Sequence, residues 1–302
     1  MSYDLALVAD LCIDLLFTGK VKPIYGQVEQ FVDDYHVELG GSASIFASQF
    51  AKLGGKPAFL GAYGSDPFGD FLLNKLKELN IDDHFLMKSE TDQTAVGLGL
   101  GYQNDRAMLT FKGTLNAMTS AQVDASGVLD AASHIHVNSF FLLEYLKEYW
   151  VEKAPQLKKQ GKTLSLDTNW APEGDWVAVH NLLPYIDVFL PNEEEAKLIS
   201  GKACVDEAGK MLSEVCSLVV VKRGADGASV YQNGTVTHFA VPEELKEGLS
   251  IKDTTGAGDN FCAGFIFNWL KGESLGNCVN LGLKCGTSSL KEIGGINGQF
   301  VH

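Results

Sequence analysis

TLSLDTN (163–169), DVFLPN (187–192) and SLVVVKRG (217–224) are short apolar runs, each divided from the next by sequence of helical period. Such runs suit strands buried on both faces. Parallel sheets are buried in this way because crossover helices cover both sides. The same rhythm extends outward. HIHVNSF (134–140) reads as a strand followed by a helix to about Gly161, PAFLGAYG (57–64) as a strand, and LALVA (5–9) as the opening strand. SIFASQFAKLG (44–54) is amphipathic and stops at Gly54-Gly55, and PFGDFLLNKLKELN (67–80) is a helix with Pro67 in its first turn. Strands alternating with helices predict an α/β fold with a mostly parallel central sheet and helices on both faces.

Two stretches break the rhythm. Residues 15–39 show only the alternation in EQFVDDYHVEL, and 94–112 read as two strands around a Gln103-Asn104-Asp105 turn. We expect these to form a small antiparallel β lid on a single domain spanning 1–302. Its apolar face is expected to pair with a second copy, giving a homodimer. VYQNGTVTHF reads as a hairpin turning at Asn233-Gly234, which outweighs the sequon Asn233-Gly234-Thr235.

The chain has 302 residues, 45% hydrophobic, and a formal net charge of -14 with two arginines, Arg106 and Arg223. Without a basic cluster, a nucleic-acid partner is not expected, and an acidic surface disfavours anionic lipid. No run is long and apolar enough to span a bilayer. The N-terminus lacks a basic leader, and the six cysteines form no CxxC pair. Together these predict reduced thiols and a cytoplasmic location.

The chemistry points to DTTGAGDNF (253–261), which runs into the apolar helical sequence FCAGFIFNWL. Small residues at a helix N-terminus let phosphate oxygens reach backbone N–H groups, and the helix dipole favours an anion there. Asp259 would lie beside the transferred phosphoryl group and accept the proton of an attacking alcohol. The dipole is expected to keep it ionised. The competing reading is that Asp259 only caps the helix. Other signals are weaker. Gly97-x-Gly99-x-Gly101 lacks dinucleotide-loop spacing, Gly55-Lys56 is followed by Pro57 rather than Ser or Thr, and His134 with His136 lacks a third metal ligand.

DTTGAGDNFCAGF resembles the C-terminal signature of the PfkB/ribokinase family of carbohydrate kinases. LGGSASIFASQFAKLGGKPAFLGAYGSDPFGDFLLNKLKELNID (39–82) resembles the N-terminal one. LDTN (166–169), PNEEEA (191–196) and VKRGADG (221–227) fall in family order between them. The resemblance implies a ribokinase-like fold and ATP-dependent phosphorylation of a hydroxyl on a sugar or sugar-like molecule. It implies Asp259 as base and Gly256, Ala257 and Gly258 as an anion hole. It also implies ATP contacts from Asn169, Asn192, Lys222, Gly224 and Gly227, and Mg2+ organised through water by Asn192 and Glu195. Asp253 and Thr255 match positions that hold a monovalent cation such as K+ in some members. Read without the resemblance, Glu193 to Glu195 simply begin a helix.

On the acceptor side, Asp14 matches the substrate-binding aspartate. Gly40 and Gly41 bring backbone near the substrate. Ser42, Ser44, Asn138 and Ser139 are further candidate contacts. Cys12 and Ile45 stand where ribokinase-like enzymes often carry asparagine, which puts ribose itself in doubt. Scarce arginine weighs against a phosphorylated acceptor. A nucleoside or a 2-keto-3-deoxy sugar acid is an alternative acceptor. A non-catalytic sugar or nucleotide sensor is the alternative from another class.

Overall fold

The computed structural model describes residues 2–19, 21–102, 105–169, 171, 174 and 176–301, with the side chains of 102, 105 and 106 outside that description. The strands are β1 (Leu5–Val8), β2 (Cys12–Thr18), β3 (Asp34–Gly40), β4 (Pro57–Leu60), β5 (Ala62–Gly64), β6 (Met87–Ser89) and β7 (Val96–Tyr102). They continue with β8 (Asp105–Phe111), β9 (His134–Val137), β10 (Thr163–Leu166), β11 (Val188–Phe189), β12 (Val219–Lys222), β13 (Ala228–Gln232) and β14 (Thr235–Phe239).

The main sheet has the order β14-β13-β12-β11-β10-β9-β1-β4. Every pairing from β4 to β12 is parallel, and β13 and β14 turn back antiparallel. The last hairpin turns at Asn233 (φ 52°) and Gly234 (φ 74°), the paired positive values that a type I′ turn requires. Alternate residues along each strand feed opposite layers. Ala6 and Val8 join Ile135, Val137 and Phe189 on one face, while Leu5 and Leu7 join Phe46, Phe50, Phe59 and Phe265 on the other. Helices Ser42–Lys52 and Ala257–Leu270 cover the second face, and helix Lys147–Lys159 the first.

The second sheet has the order β3-β2-β7-β8. Both outer pairings are antiparallel, and the two pairs meet along a parallel β2–β7 contact. It starts at Cys12 rather than residue 15, because β2 leaves β1 after only Ala9, Asp10 and Leu11. Gln103 and Asn104, where the turn was expected, lie outside the described residues; Tyr102 pairs with Asp105 across it. Two boundaries differ from expectation. PAFLGAYG divides at Gly61, and β5 leaves the main sheet to pair with β6. The helix after β9 begins only at Lys147, since residues 138–146 form an irregular segment ending in a 3-10 turn. Among the described residues no helix is long and apolar enough to cross a membrane.

Candidate active site

Parallel strands deliver their following loops to one edge of a sheet, where α/β proteins bind ligands. Here that edge gathers Asp10 after β1, Asn138 and Ser139 after β9, Asp167 to Asn169 after β10, Asn192 after β11, and Lys222 ending β12. Gly256 opens helix Ala257–Leu270 against this edge in the left-handed region (φ 70°), where a Cβ would lie 2.9 Å from a methyl of Ile45. No side chain caps this helix. Ala257 N donates to Thr254 O at a long 3.4 Å, and the N–H groups of Gly258 and Asp259 are left to another acceptor. Asp259 sits in that turn, buried, and does not act as the cap.

Beside the turn lies a buried ion pair. Lys222 Nζ donates to Asp167 Oδ2 at 2.7 Å and to Cys262 Sγ at 3.5 Å, and Cys262 Sγ donates to the same Asp167 oxygen at 3.1 Å. A Cβ on Gly258 would stand 3.4 Å from Lys222 Nζ, so the ammonium lies against the small-residue turn. Burial opposes charge on Lys222, but Asp167 chiefly outweighs it and raises the lysine well above its ordinary value. Burial likewise works against ionised Asp167, but the Lys222 charge and the bonds it receives hold its carboxyl below the usual range.

Asp259 behaves otherwise than its helix position suggests. Burial, then the neighbouring Asp167 carboxylate and Asp10, push it well above the usual range, against the opposing effects of Lys222 and a Ser42 hydrogen bond. A helix dipole contributes at most about 2 kcal/mol and does not offset desolvation beside two carboxylates. A base at Asp259 would have to be deprotonated, so that reading predicts activity lost as pH falls through this raised value. The acid limb of kcat/KM is therefore expected above the ordinary aspartate value of about 4. A pH profile whose acid limb follows an unperturbed carboxyl would contradict this.

Asn192 and Glu195 form a reciprocal capping box. Asn192 Oδ1 accepts from Glu195 N at 2.9 Å, and Glu195 Oε2 accepts from Asn192 N at 2.8 Å. The helix-start reading of these residues is realised, yet Glu195 is also buried and close enough to Lys222 and Asp167 to feel both charges. Burial raises it to about 7. Asp253 folds back on its own turn, with Oδ1 accepting from Thr255 N and Oγ1 at 2.9 and 2.7 Å, while Oδ2 accepts from Gly294 N at 2.9 Å. These bonds clip the approach to the turn onto the C-terminal loop.

Asp14 lies in the second sheet, buried between two glycines. A Cβ on Gly40 would stand 2.3 Å, and one on Gly97 2.8 Å, from its Oδ1. The Gly97, Gly99 and Gly101 run therefore belongs to β7 of the second sheet, with its first glycine set by Asp14. Asp10 Oδ2 and Oδ1 accept from Ser42 N and Ala43 N at 3.0 and 2.9 Å, tying helix Ser42–Lys52 to β1. Asn169 spends its amide on Ser139 N (2.9 Å) and Ser42 Oγ (2.7 Å), which joins β9, β10 and the Gly40-Gly41 turn. The hydroxyls of Ser44 and Thr168 are buried without a well-formed partner, Ser139 has only a loose interaction with Asp10, and both amide atoms of Asn138 have only a loose one with His136. Buried polar atoms left over at a strand edge fit a hydroxyl-rich ligand. Ile45 forms apolar backing for Gly256 and Gly295 instead of a polar contact.

A cleft of about 370 Å³ opens on the far side of the turn. Val241, Leu249, Ile251 and Leu283 line it together with Lys222 and Gly258. Gly224 and Gly227 also line it, and a Cβ on Gly227 would meet Phe239 O at 2.0 Å. Sequence reading had not singled out Asp167, although a carboxylate at the end of an apolar parallel strand was its signal. Nothing local marked Gln299, whose amide donates to Ile45 O and Asn260 Oδ1 and accepts from Ser48 Oγ, with Asn260 in turn donating to Gly256 O. His134 and His136 are held by Thr163 and Ser165, and burial lowers both to about 3, so they remain neutral.

An uncapped helix N-terminus, a carboxylate within it and an adjoining ammonium, at the carboxyl edge of an α/β sheet, are the features that phosphoryl transfer requires. Residues 4–300 match the model of the pfkB family carbohydrate kinases, and the chain belongs to that family. It is 26% identical over 291 residues to the 2-dehydro-3-deoxygluconokinase of Bacillus subtilis, covering 91% of this chain and 87% of that protein. It is 31% identical over 241 residues to an Escherichia coli fructokinase, covering 75% of each. Among solved structures, Arabidopsis thaliana ribokinase complexed with ribose and ATP aligns at a TM-score of 0.83 and 19% identity, covering 100% of this chain and 96% of that one. An E. coli protein solved as ribokinase II with ATP and Mg2+ aligns at 0.86 and 20% identity, covering 99% and 96%.

Proposed function

We propose that this kinase transfers the γ-phosphoryl group of ATP to a hydroxyl of a sugar or sugar-like polyol, with Asp259 as base. One observation carries the reading: Asp259 is buried in the first turn of a helix that no side chain caps, next to a lysine ammonium. The acceptor oxygen forms a bond to the γ-phosphorus as the β–γ bridging bond breaks. The bond's electrons leave with ADP, and the hydroxyl proton passes to Asp259. Gly256, Ala257 and Gly258 present N–H groups to the transferring oxygens. Asp14 accepts from acceptor hydroxyls between Gly40 and Gly41 on one side and Ser42, Ser44, Asn138 and Ser139 on the other. ATP lies in the apolar cleft near Gly224 and Gly227, with Asn169 and Asn192 on its phosphate side. A buried Glu195 beside Asp167 and a polyanionic substrate fits Mg2+, which would neutralise phosphate charge while Asn192 and Glu195 hold its waters.

The chain works as one α/β unit, with 15–39 and 94–112 as a lid that excludes competing water. Its outer face leaves Tyr35, Leu109 and Phe111 exposed at 62%, 61% and 53%, and a second copy is the proposed cover. Sedimentation should show a dimer at micromolar concentration and a monomer for Leu109→Glu. A monomeric parent protein would remove the dimer.

ADP release measured against pentoses, hexoses, polyols, sugar acids and nucleosides, with and without K+, tests the whole reading. The K+ arm addresses Asp253 and Thr255. Kinases named for a sugar acid and for adenosine among the relatives keep those two acceptor classes in the screen. Binding without turnover in every pool would favour the sensor.

A further inference from the structure

The ion pair of Lys222 and Asp167 lies deeper than a surface contact to ATP requires. Their side chains are 13% and 3% exposed, and the pair is closed by Cys262 from the second turn of helix Ala257–Leu270. Isolated buried pairs of this kind seldom add stability, since desolvation consumes the Coulombic gain. Their placement therefore calls for another explanation. The ammonium lies against Gly258, a residue of the turn assigned above to the phosphate, and it also lines the cleft. A Cβ at 258 would already touch the ammonium, so little room is left there for a longer side chain. Among the described residues, the other arginine or lysine in the cleft wall is Lys246, a mainly exposed residue paired with Glu243.

We propose that Lys222 is a catalytic residue that meets the terminal phosphoryl group during transfer, and that Asp167 is its positioning residue, holding the ammonium over Gly258 between turnovers. This rests on the kinase reading above but goes beyond a general ATP contact: it assigns the lysine to the γ-phosphoryl oxygens. Charge develops there in the transition state, and a preorganised cation in a water-poor site stabilises it most. Neither residue gains or loses a proton in the step. The hydroxyl proton still goes to Asp259, and the leaving electrons still go to ADP.

The test compares nucleotides that differ only at the terminal group. Binding of ADP and of a non-hydrolysable imido analogue of ATP, each with Mg2+, is measured for the parent protein, Lys222→Met and Asp167→Asn, with circular dichroism as the check on folding. Lys222→Met is expected to weaken the analogue by about tenfold or more, the cost of a lost charged hydrogen bond, while ADP stays within about threefold. Its kcat should fall by about 100-fold or more. Asp167→Asn should show the same selectivity loss in smaller degree, and Lys222→Arg should restore part of the analogue's advantage. Equal weakening of both nucleotides, or no change in either, overturns the proposal. If Lys222→Met fails to fold, Asp167→Asn and Lys222→Arg decide on the same criterion. If the parent protein turns over no acceptor, the kinase reading fails, and the binding comparison still reports on the lysine.

Discussion

Asp259→Asn is expected to lower kcat by about a thousandfold or more, with affinity for Mg2+ and the imido analogue of ATP nearly unchanged. Asparagine keeps the size of the side chain and leaves the N–H groups at the turn in place, so it removes proton acceptance and little else. The same substitution should hold or raise thermal stability near neutral pH. Burial and the Asp167 and Asp10 carboxylates raise Asp259 in the folded protein. A carboxyl raised on folding favours the fold most while protonated. Its contribution is greatest below the unfolded value and declines as pH rises towards the folded one. Asparagine escapes that decline. A helix-capping aspartate would give the opposite result, since losing a cap costs about 1 kcal/mol. Kinetics and a thermal melt on one variant thus separate the two roles. Retention of most of the turnover would take Asp259 out of the mechanism.

Gly41→Ala should be the most damaging small substitution in the chain, lowering stability by about 3 kcal/mol or more. Gly41 has φ 89°, and a Cβ there would lie 1.9 Å from the main-chain oxygen of Asp10. That oxygen cannot move aside cheaply. Asp10 is anchored by its side chain to Ser42 N and Ala43 N, and its neighbour Ala9 donates to Leu60 O at 2.7 Å. Relief of the clash would therefore displace β1 or the start of helix Ser42–Lys52, which carries Ser42 towards Asp259. Urea unfolding would show the midpoint fall, and activity should fall with it. An unchanged midpoint would mean that the Asp10 turn is not the rigid contact described here. Gly54, by contrast, has positive φ with open space around its missing side chain, so alanine there should cost only the strain of the turn.

The comparison of these two glycines shows where sequence stops. Both stood in the same quoted run, and both were legible as glycines with a purpose. Gly54 ends a helix, which is local information. Gly41 is set by Asp10, a contact across the fold. Likewise, the apolar run SLVVVKRG was enough to place β12 in the mostly parallel central sheet, and Asn233-Gly234 was enough to turn the β13–β14 hairpin. The electrostatic state of Asp259 was not legible. Its helix position argues for a stabilised anion, and only burial beside Asp167 and Asp10 reverses that, against the opposing charge of Lys222.

Residue order alone determined the βαβ rhythm, the presence of a small second sheet, the small-residue turn with its carboxylate, and family membership, because periodicity, turn chemistry and motif spacing are carried by neighbours along the chain. Tertiary structure decided which groups meet: Lys222 with Asp167, Asp14 between Gly40 and Gly97, and Gln299 with Ile45 and Asn260. These partners are far apart in sequence, and their energies depend on burial and distance. Neither quantity exists until the sheet brings its strand ends to one edge.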